Sequence, residues 1–226
     1  MRVAVLGTGM VGRAIAGKLS ELGHEVVVGT RDPDETLARQ EPDFYGNPPF
    51  AAWQAEHPEV RLAGLADAAT QGELVVNATA GAAALEALWL AGEANLDGKV
   101  LVDVANPLDF SQGMPPSLTV VNTDCLGECI QREFPAARVV KTLNTVTASL
   151  MVNPGLVGGG DHTMFVSGND PEAKALVTGL LTEFGWRDVV DLGDITTARG
   201  PEMLMALWLR LMGSLQTPML NIKVVR

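Results

Sequence analysis

An α/β fold built on a doubly wound parallel sheet, with a small α/β unit toward its C-terminal end, is what this 226-residue sequence predicts. Three observations carry the prediction. Short apolar runs recur along the chain, separated by segments with helical spacing. Some runs are apolar almost without interruption, as in KVLVDVA at residues 99–105, which marks a strand covered on both faces. The first run, Arg2–Leu6, passes directly into Gly7-Thr8-Gly9-Met10-Val11-Gly12, a glycine turn that opens a helix.

That opening unit is the most informative. Residues 10–19 place Val11, Ile15 and Leu19 on one helix face, while Ala14 and Ala16 are small enough for close packing. Gly7 is expected to make the tight turn, Gly9 to let a pyrophosphate approach the backbone, and Gly12 to let the helix sit against the strand. Phosphates would then meet the free N–H groups and the positive end of the helix. With 24 glycines in the chain, a turn that binds nothing is the competing reading. The second strand, residues 25–29, ends where the adenosine ribose of a dinucleotide would lie. An acid there would bond the 2′-hydroxyl of NAD; this chain has Thr30, a hydroxyl donor, and Arg31, a planar fork suited to phosphate. The pair predicts NADP, with Asp32, one residue on, as the feature that would favour NAD.

The remaining elements follow in order. Residues 40–58 hold four prolines and Trp53 and read as a partly helical insertion whose aromatics pack on the sheet. Strands are predicted at 60–63, 74–78, 99–105 and 138–143, with a helix at 82–94, which completes six strands of a Rossmann-type sheet. After Gly155 come a flexible loop, Gly158-Gly159-Gly160-Asp161-His162, a strand at 163–167, a helix at 171–184 with proline in its first turn, a strand at Asp188–Asp191 and an apolar helix at 202–215. The domain division is 1–152 for the NADP-binding unit and 153–226 for a small unit packed on it, too small to fold alone. The last helix is apolar on more than one face, so it is expected in the core or in a homodimer interface.

Composition narrows the class. The chain is 47% hydrophobic and 19% charged, with a net charge of −11, which excludes nucleic acid and anionic membranes as partners. No apolar run reaches membrane-span length, and the start of the chain runs into a strand rather than a signal peptide, so a cytoplasmic location is expected. Cys125 and Cys129, spaced i, i+4 in a predicted helix at 124–134, read as two buried thiols rather than a redox couple. With only three histidines no metal site is predicted.

In doubly wound sheets ligands bind beyond the carboxyl ends of the strands. The fourth strand is followed by Asn77-Ala78-Thr79-Ala80, assigned here to the cofactor; the fifth by Asn106-Pro107 and the sixth by Asn144-Thr145. Asn106 is assigned to cofactor and substrate pocket alike, and Pro107, Asn144 and Thr145 to the substrate pocket. Each asparagine offers donor and acceptor, although asparagine also favours turns for its own sake. His24, His57 and His162 read as surface residues. Tyr45 is the only tyrosine, without a Tyr-x-x-x-Lys pair. Lys141 is expected either to snorkel from the sheet or to meet substrate. No catalytic acid or base is assigned.

With these residues in place, residues 2–31 (RVAVLGTGMVGRAIAGKLSELGHEVVVGTR), 139–148 (VVKTLNTVTA) and 191–199 (DLGDITTAR) resemble the F420-dependent NADP oxidoreductases, over the whole length of the chain. A related module serves the membrane metalloreductases. The resemblance implies that Thr30-Arg31 corresponds to the serine-arginine pair that holds the 2′-phosphate, and that the co-substrate is a deazaflavin (F420) or a flavin. Where the family carries a proline and a bulky aromatic after the fourth strand, and histidine after the sixth, this chain has residues 77–81 and Asn144, which leaves the acceptor open. Three readings follow: hydride transfer between NADPH and a small-molecule redox acceptor of the deazaflavin or flavin type, reduction of a small metabolite, and a non-catalytic NADP-binding sensor.

Overall fold

The computed structural model describes residues 1–42 and 46–226. In chain order its elements are β1 (Arg2–Leu6), α1 (Met10–Glu21), β2 (Glu25–Thr30), α2 (Pro33–Ala38), α3 (Phe50–Glu56), β3 (Arg61–Gly64), α4 (Leu65–Gln71), β4 (Leu74–Asn77), α5 (Ala84–Ala91), α6 (Glu93–Leu96), β5 (Val100–Asp103), β6 (Leu108–Asp109), β7 (Ser117–Leu118), α7 (Leu126–Glu133), β8 (Arg138–Thr142), α8 (Ala148–Val152), β9 (Thr163–Gly168), α9 (Pro171–Glu183), β10 (Asp188–Asp191) and α10 (Arg199–Leu215). Residues 43–45 of the insertion, and Tyr45 with them, lie outside the described residues.

Eight strands form one sheet in the order β10-β9-β8-β5-β4-β1-β2-β3. From β3 to β8 every pairing is parallel, the doubly wound arrangement that the apolar runs predict. Helices cover both faces. In β1, Val3 and Val5 point into the core beneath α1 and α9, while Ala4 and Leu6 point into the core beneath α4, α5 and α7. Alternate side chains of each inner strand are therefore buried on opposite faces, and this is why those strands are apolar throughout.

The sheet departs from an all-parallel one at β9, which pairs antiparallel with β8 (Val140 opposite Gly168, Thr142 opposite Val166). The cause lies in the connection. The connection, residues 143–162, is long enough for a crossover, but its α-helix, α8, has only five residues, about 7.5 Å of rise, and does not carry the chain back along the strand. The chain therefore enters β9 from the carboxyl edge. The 13-residue α9 is long enough, and β10 pairs parallel with β9.

Other differences have local causes. The helix expected at 82–94 is broken at Gly92, whose φ of 92° ends α5 before α6 begins. The insertion does pack on the body: Phe50 is buried, and Trp53 stacks on His57 at 4.3 Å between ring centres. His162, expected at the surface, is buried in the opposite sense, with Nε2 against the Pro154 carbonyl at 3.0 Å and Nδ1 against the Asn221 amide at 2.8 Å. The C-terminal strap that carries Asn221 covers it. The last helix starts at Arg199 and buries Met205, Trp208 and Leu209 against Leu220 and the β6–β7 hairpin, yet Leu207 and Leu215 stay exposed.

Candidate functional site

The glycine turn takes the shape its spacing requires. Gly7 has a φ of +120°, and a Cβ there would lie 2.6 Å from the Ala78 carbonyl oxygen. A Cβ on Gly12 would lie 2.0 Å from the Gly7 carbonyl oxygen, so this glycine seats α1 against the turn. Gly12→Ala is expected to lower stability by about 1–3 kcal/mol, because the atom it meets is backbone that cannot swing aside; denaturant unfolding measures this, and an unchanged midpoint would refute the packing role. Gly9 differs from both. A Cβ there would meet nothing within 4 Å, so the open space lies on the cavity side of the turn. As N-cap of α1, Gly9 supplies no side-chain cap, and the first turn of α1 holds no acid. The helix end is thus left able to receive an anion.

A cavity of about 290 Å³ opens over this turn. Of the residues expected to hold cofactor, Gly7, Thr8, Gly9, Thr30, Arg31, Ala78, Thr79 and Ala80 line it. Met10, Val11 and Gly12 form the first turn of α1 behind it, Asn77 is fully buried beneath its wall, and Asn106 stands outside it. A wider depression of about 570 Å³ beside the edge strand β3, lined by Gln54, Arg61 and Gln71, has no glycine turn and is not the better candidate despite its size.

The charge at the β2 end is arranged for an anion. Arg31 is exposed, and among the described residues it has no hydrogen-bond or ion-pair partner. Asp32 is otherwise engaged: its Oδ1 accepts from the Glu35 amide at 2.9 Å and caps α2. The carboxylate that would favour NAD is therefore a helix cap. Thr30 Oγ1 lies 2.9 Å from Thr36 Oγ1. Arg39, which also lines the cavity, pairs with Glu35 at 3.1 Å.

The residues expected in the substrate pocket meet one another at the carboxyl edge of β5 and β8. Asn106 Nδ2 donates to the Asn144 carbonyl at 2.7 Å, and Asn144 Nδ2 donates back to Asn106 Oδ1 at 2.9 Å. Pro107 is buried beside them. Leu143, just before, holds a φ of 60°. Thr145 is 1% exposed, and its hydroxyl has no partner among the described residues.

Beneath both groups runs a buried chain of polar contacts that the sequence reading missed. Lys141 neither snorkels nor reaches solvent. Its ammonium donates to Asp103 Oδ2 at 2.7 Å and to the Ala105 carbonyl, and lies 2.9 Å from Glu202 Oε1. Burial works against the ammonium, but the Asp103 and Glu202 carboxylates beside it more than compensate and hold Lys141 above its usual value. Asp103 Oδ1 accepts from Asn77 Nδ2 at 2.8 Å. Glu202 accepts from the Leu126 and Gly127 amides at 2.8 and 2.9 Å, so the N-terminus of α7 offsets the second carboxylate. A signal for this was present: Lys141 and Asp103 each follow a run of valine and leucine within an inner strand, and buried charges must pair. Only the strand order shows that they are neighbours.

Both cysteines sit where the protonated thiol is favoured. Burial, aided by the Glu202 charge, pushes Cys125 up to about 12, and burial also raises Cys129. Cys125 caps α7 through its sulfur. Arg13, another residue missed in sequence, ties the insertion to the turn: its Nε donates to the Thr8 carbonyl at 2.8 Å, and its guanidinium reaches the Pro48 carbonyl and lies over the Phe50 ring. Among the described residues no group of side chains is suited to hold a metal ion, and no helix is long and apolar enough to cross a membrane.

Comparison with known proteins identifies the family. Residues 2–107 match the family model described as NADP oxidoreductase, coenzyme F420-dependent. A crystal structure from Arthrobacter sp. FB24, of a protein provisionally named an F420-dependent NADP reductase, is 62% identical, with a TM-score of 0.96 over 99% of each chain. The F420-dependent NADP reductase of Methanothermobacter marburgensis is 26% identical over 93% of this chain and 92% of its own. The metalloreductase STEAP3 of Rattus norvegicus is 28% identical over 97% of this chain, which spans only 38% of that protein. With a relative at 62% identity along essentially its full length, and the glycine turn, strand order and cavity in place, this chain belongs to the coenzyme F420-dependent NADP oxidoreductase family.

Proposed function

We propose that the chain binds NADP(H) in the 290 Å³ cavity and transfers hydride between it and a deazaflavin (F420-like) or flavin-type acceptor. The observation that carries this reading is Arg31, without a partner among the described residues, beside a helix-capping Asp32 on the same cavity as the glycine turn. The turn and the N-terminus of α1 take the pyrophosphate; Arg31, with Thr30 beside it, takes the 2′-phosphate. Residues 1–152 make the cofactor-binding domain and 153–226 the appended unit.

The chemistry fits the residues. When bound, the reduced nicotinamide supplies the hydride; the protein supplies position. At the strand ends beside the nicotinamide half stand Thr79, on the cavity wall, and the half-buried Asn106, with Asn144, Thr145, Asp103 and Lys141 all buried behind them; the ionisable side chain that α5 adds to the cavity wall is Glu86. The strand ends themselves offer groups that position rings and none that is poised to transfer a proton. Hydride exchange between a nicotinamide and a deazaflavin asks for little more, whereas ketone reduction requires a proton donor. Leu207 and Leu215, exposed on α10, suit a homodimer contact, and a cytoplasmic location suits the charge and composition.

The test is NADPH oxidation, followed by nicotinamide absorbance, against deazaflavin, flavin and carbonyl acceptors. Turnover with a deazaflavin or flavin is expected. Tight NADPH binding without turnover on any acceptor would select the non-catalytic sensor instead, and turnover on carbonyls alone would select the metabolite reductase.

A further inference from the structure

We infer that the Thr79 hydroxyl is an obligate hydrogen-bond acceptor toward the nicotinamide half of the cofactor, with its proton held by Asn77 and Asn77 oriented by the buried Lys141–Asp103 pair. The inference rests on the NADP(H) reading above and concerns what it leaves open, the polarity of the site at the β4 end.

The orientation of Asn77 follows from what lies on either side of its amide. On one side stands Asp103, whose Oδ2 is paired with the Lys141 ammonium at 2.7 Å. A carboxylate held this way only accepts, so the Asn77 nitrogen must face it, as it does at 2.8 Å from Oδ1. The Ala105 amide donates to the same Oδ1 at 3.2 Å. On the other side stands the Thr79 backbone amide, which only donates, 3.3 Å from Asn77 Oδ1. Two groups of opposite and fixed character thus admit one orientation of the amide. Asn77 and Asp103 are both 0% exposed, so water does not compete for these bonds.

The Thr79 hydroxyl lies 2.7 Å from the same Asn77 oxygen, and its single proton goes there. Thr79 is half-buried and lines the cavity, so what it offers a ligand is the lone pairs of Oγ1. A phosphate or carbonyl oxygen finds no donor in that hydroxyl. A sugar hydroxyl or an amide N–H finds an acceptor.

Topology says which half of the cofactor this is. β1 lies between β2 and β4, with Leu6 opposite Gly29 on one side and Asn77 on the other. The glycine turn at the end of β1 takes the pyrophosphate, and Arg31 at the end of β2 takes the adenosine end. The nicotinamide half then falls at the end of β4, beside Thr79. Its neutral donors are the ribose hydroxyls and the carboxamide N–H. Asn77, Asp103 and Lys141 touch no ligand; they are positioning residues acting through Thr79.

The test measures binding of NADPH and of adenosine 2′,5′-bisphosphate, which lacks the nicotinamide half, to wild type, Thr79→Val, Thr79→Ser and Asn77→Leu, each shown to be folded by its unfolding midpoint. Thr79→Val, close in shape, should weaken NADPH by about 3- to 10-fold, the range for one neutral hydrogen bond. It should leave the bisphosphate unchanged, and Thr79→Ser should restore NADPH. Asn77→Leu keeps the Thr79 hydroxyl but frees its proton, and should weaken NADPH while sparing the bisphosphate, a split that mere loss of stability does not produce. Repeating Thr79→Val with the reduced 3-acetylpyridine analogue, which has no amide N–H, separates the two donors: a penalty that vanishes assigns the carboxamide, one that persists assigns a ribose hydroxyl. Wild-type affinity for NADPH in Thr79→Val, or equal losses of NADPH and bisphosphate, would overturn the inference. Failure of wild type to bind either ligand would instead overturn the NADP(H) reading, and this inference with it.

Discussion

Lys141→Met is expected to lower the unfolding midpoint by about 6–20 °C, the equivalent of about 3–5 kcal/mol for breaking a buried ion pair in a chain of this size. The side chain is nearly matched in volume, so little of this comes from packing. Its charge is what matters: the ammonium sits among Asp103, Glu202 and the Ala105 carbonyl with no exposure to water. Removing it strands two carboxylates in the core, of which only Glu202 keeps helix-end amides from α7. The pH dependence separates charge from packing. In the wild type Lys141 is raised above its usual 10.5, so its contribution is complete below that pH and is lost only as the pH climbs through the higher folded value. The variant has no ammonium to lose, and protonating a stranded carboxylate relieves it, so its midpoint should rise as the pH falls from about 8 to about 5. Thermal unfolding across that range measures both effects. A deficit that stays constant with pH would assign the loss to packing.

Arg31→Ala is expected to weaken NADPH by about 10- to 100-fold while leaving NADH within a factor of about two, because the lost contacts are charge-assisted bonds to a phosphate that NADH lacks. Arg31 has no hydrogen-bond or ion-pair partner among the described residues, and it stands at the end of the strand where the 2′-phosphate would lie. Arg31→Lys should recover part of the affinity, since an ammonium keeps the charge but not the fork. Titration of both cofactors, by fluorescence or calorimetry, gives the comparison. Equal losses for NADPH and NADH would move Arg31 away from the 2′-phosphate and reopen the role of Asp32.

How much of the site was legible differs from one strand end to the next. Gly7, Gly9 and Gly12 declare themselves because backbone sterics permit few substitutes, and the structure shows a carbonyl oxygen where a Cβ on Gly7 or Gly12 would be. Thr30 and Arg31 follow from counting along a strand of known length. The asparagines were harder. Asn77, Asn106 and Asn144 share a residue type and a position at strand ends, yet Asn77 is buried against Asp103 while Asn106 and Asn144 bond each other. Residue type states what an amide is able to bond, and only the neighbouring strands state what it meets. Lys141 is the sharpest instance, since its partners stand 38 residues before it and, in Glu202, on α10. His162 was misplaced for the same reason: its loop reads as exposed until the C-terminal strap that carries Asn221 lies across it.

By itself the sequence determined the opening strand, glycine turn and helix, the six parallel strands and the choice of Arg31 over an acid, because local sterics and apolar periodicity act along neighbouring residues. The tertiary structure decided the antiparallel turn-back at β9 and the buried line from Thr79 through Asn77, Asp103 and Lys141 to Glu202. Each of these depends on which strand or helix end lies beside which. That adjacency is set by packing across the whole sheet, and charges removed from water accept only the partners it brings within reach.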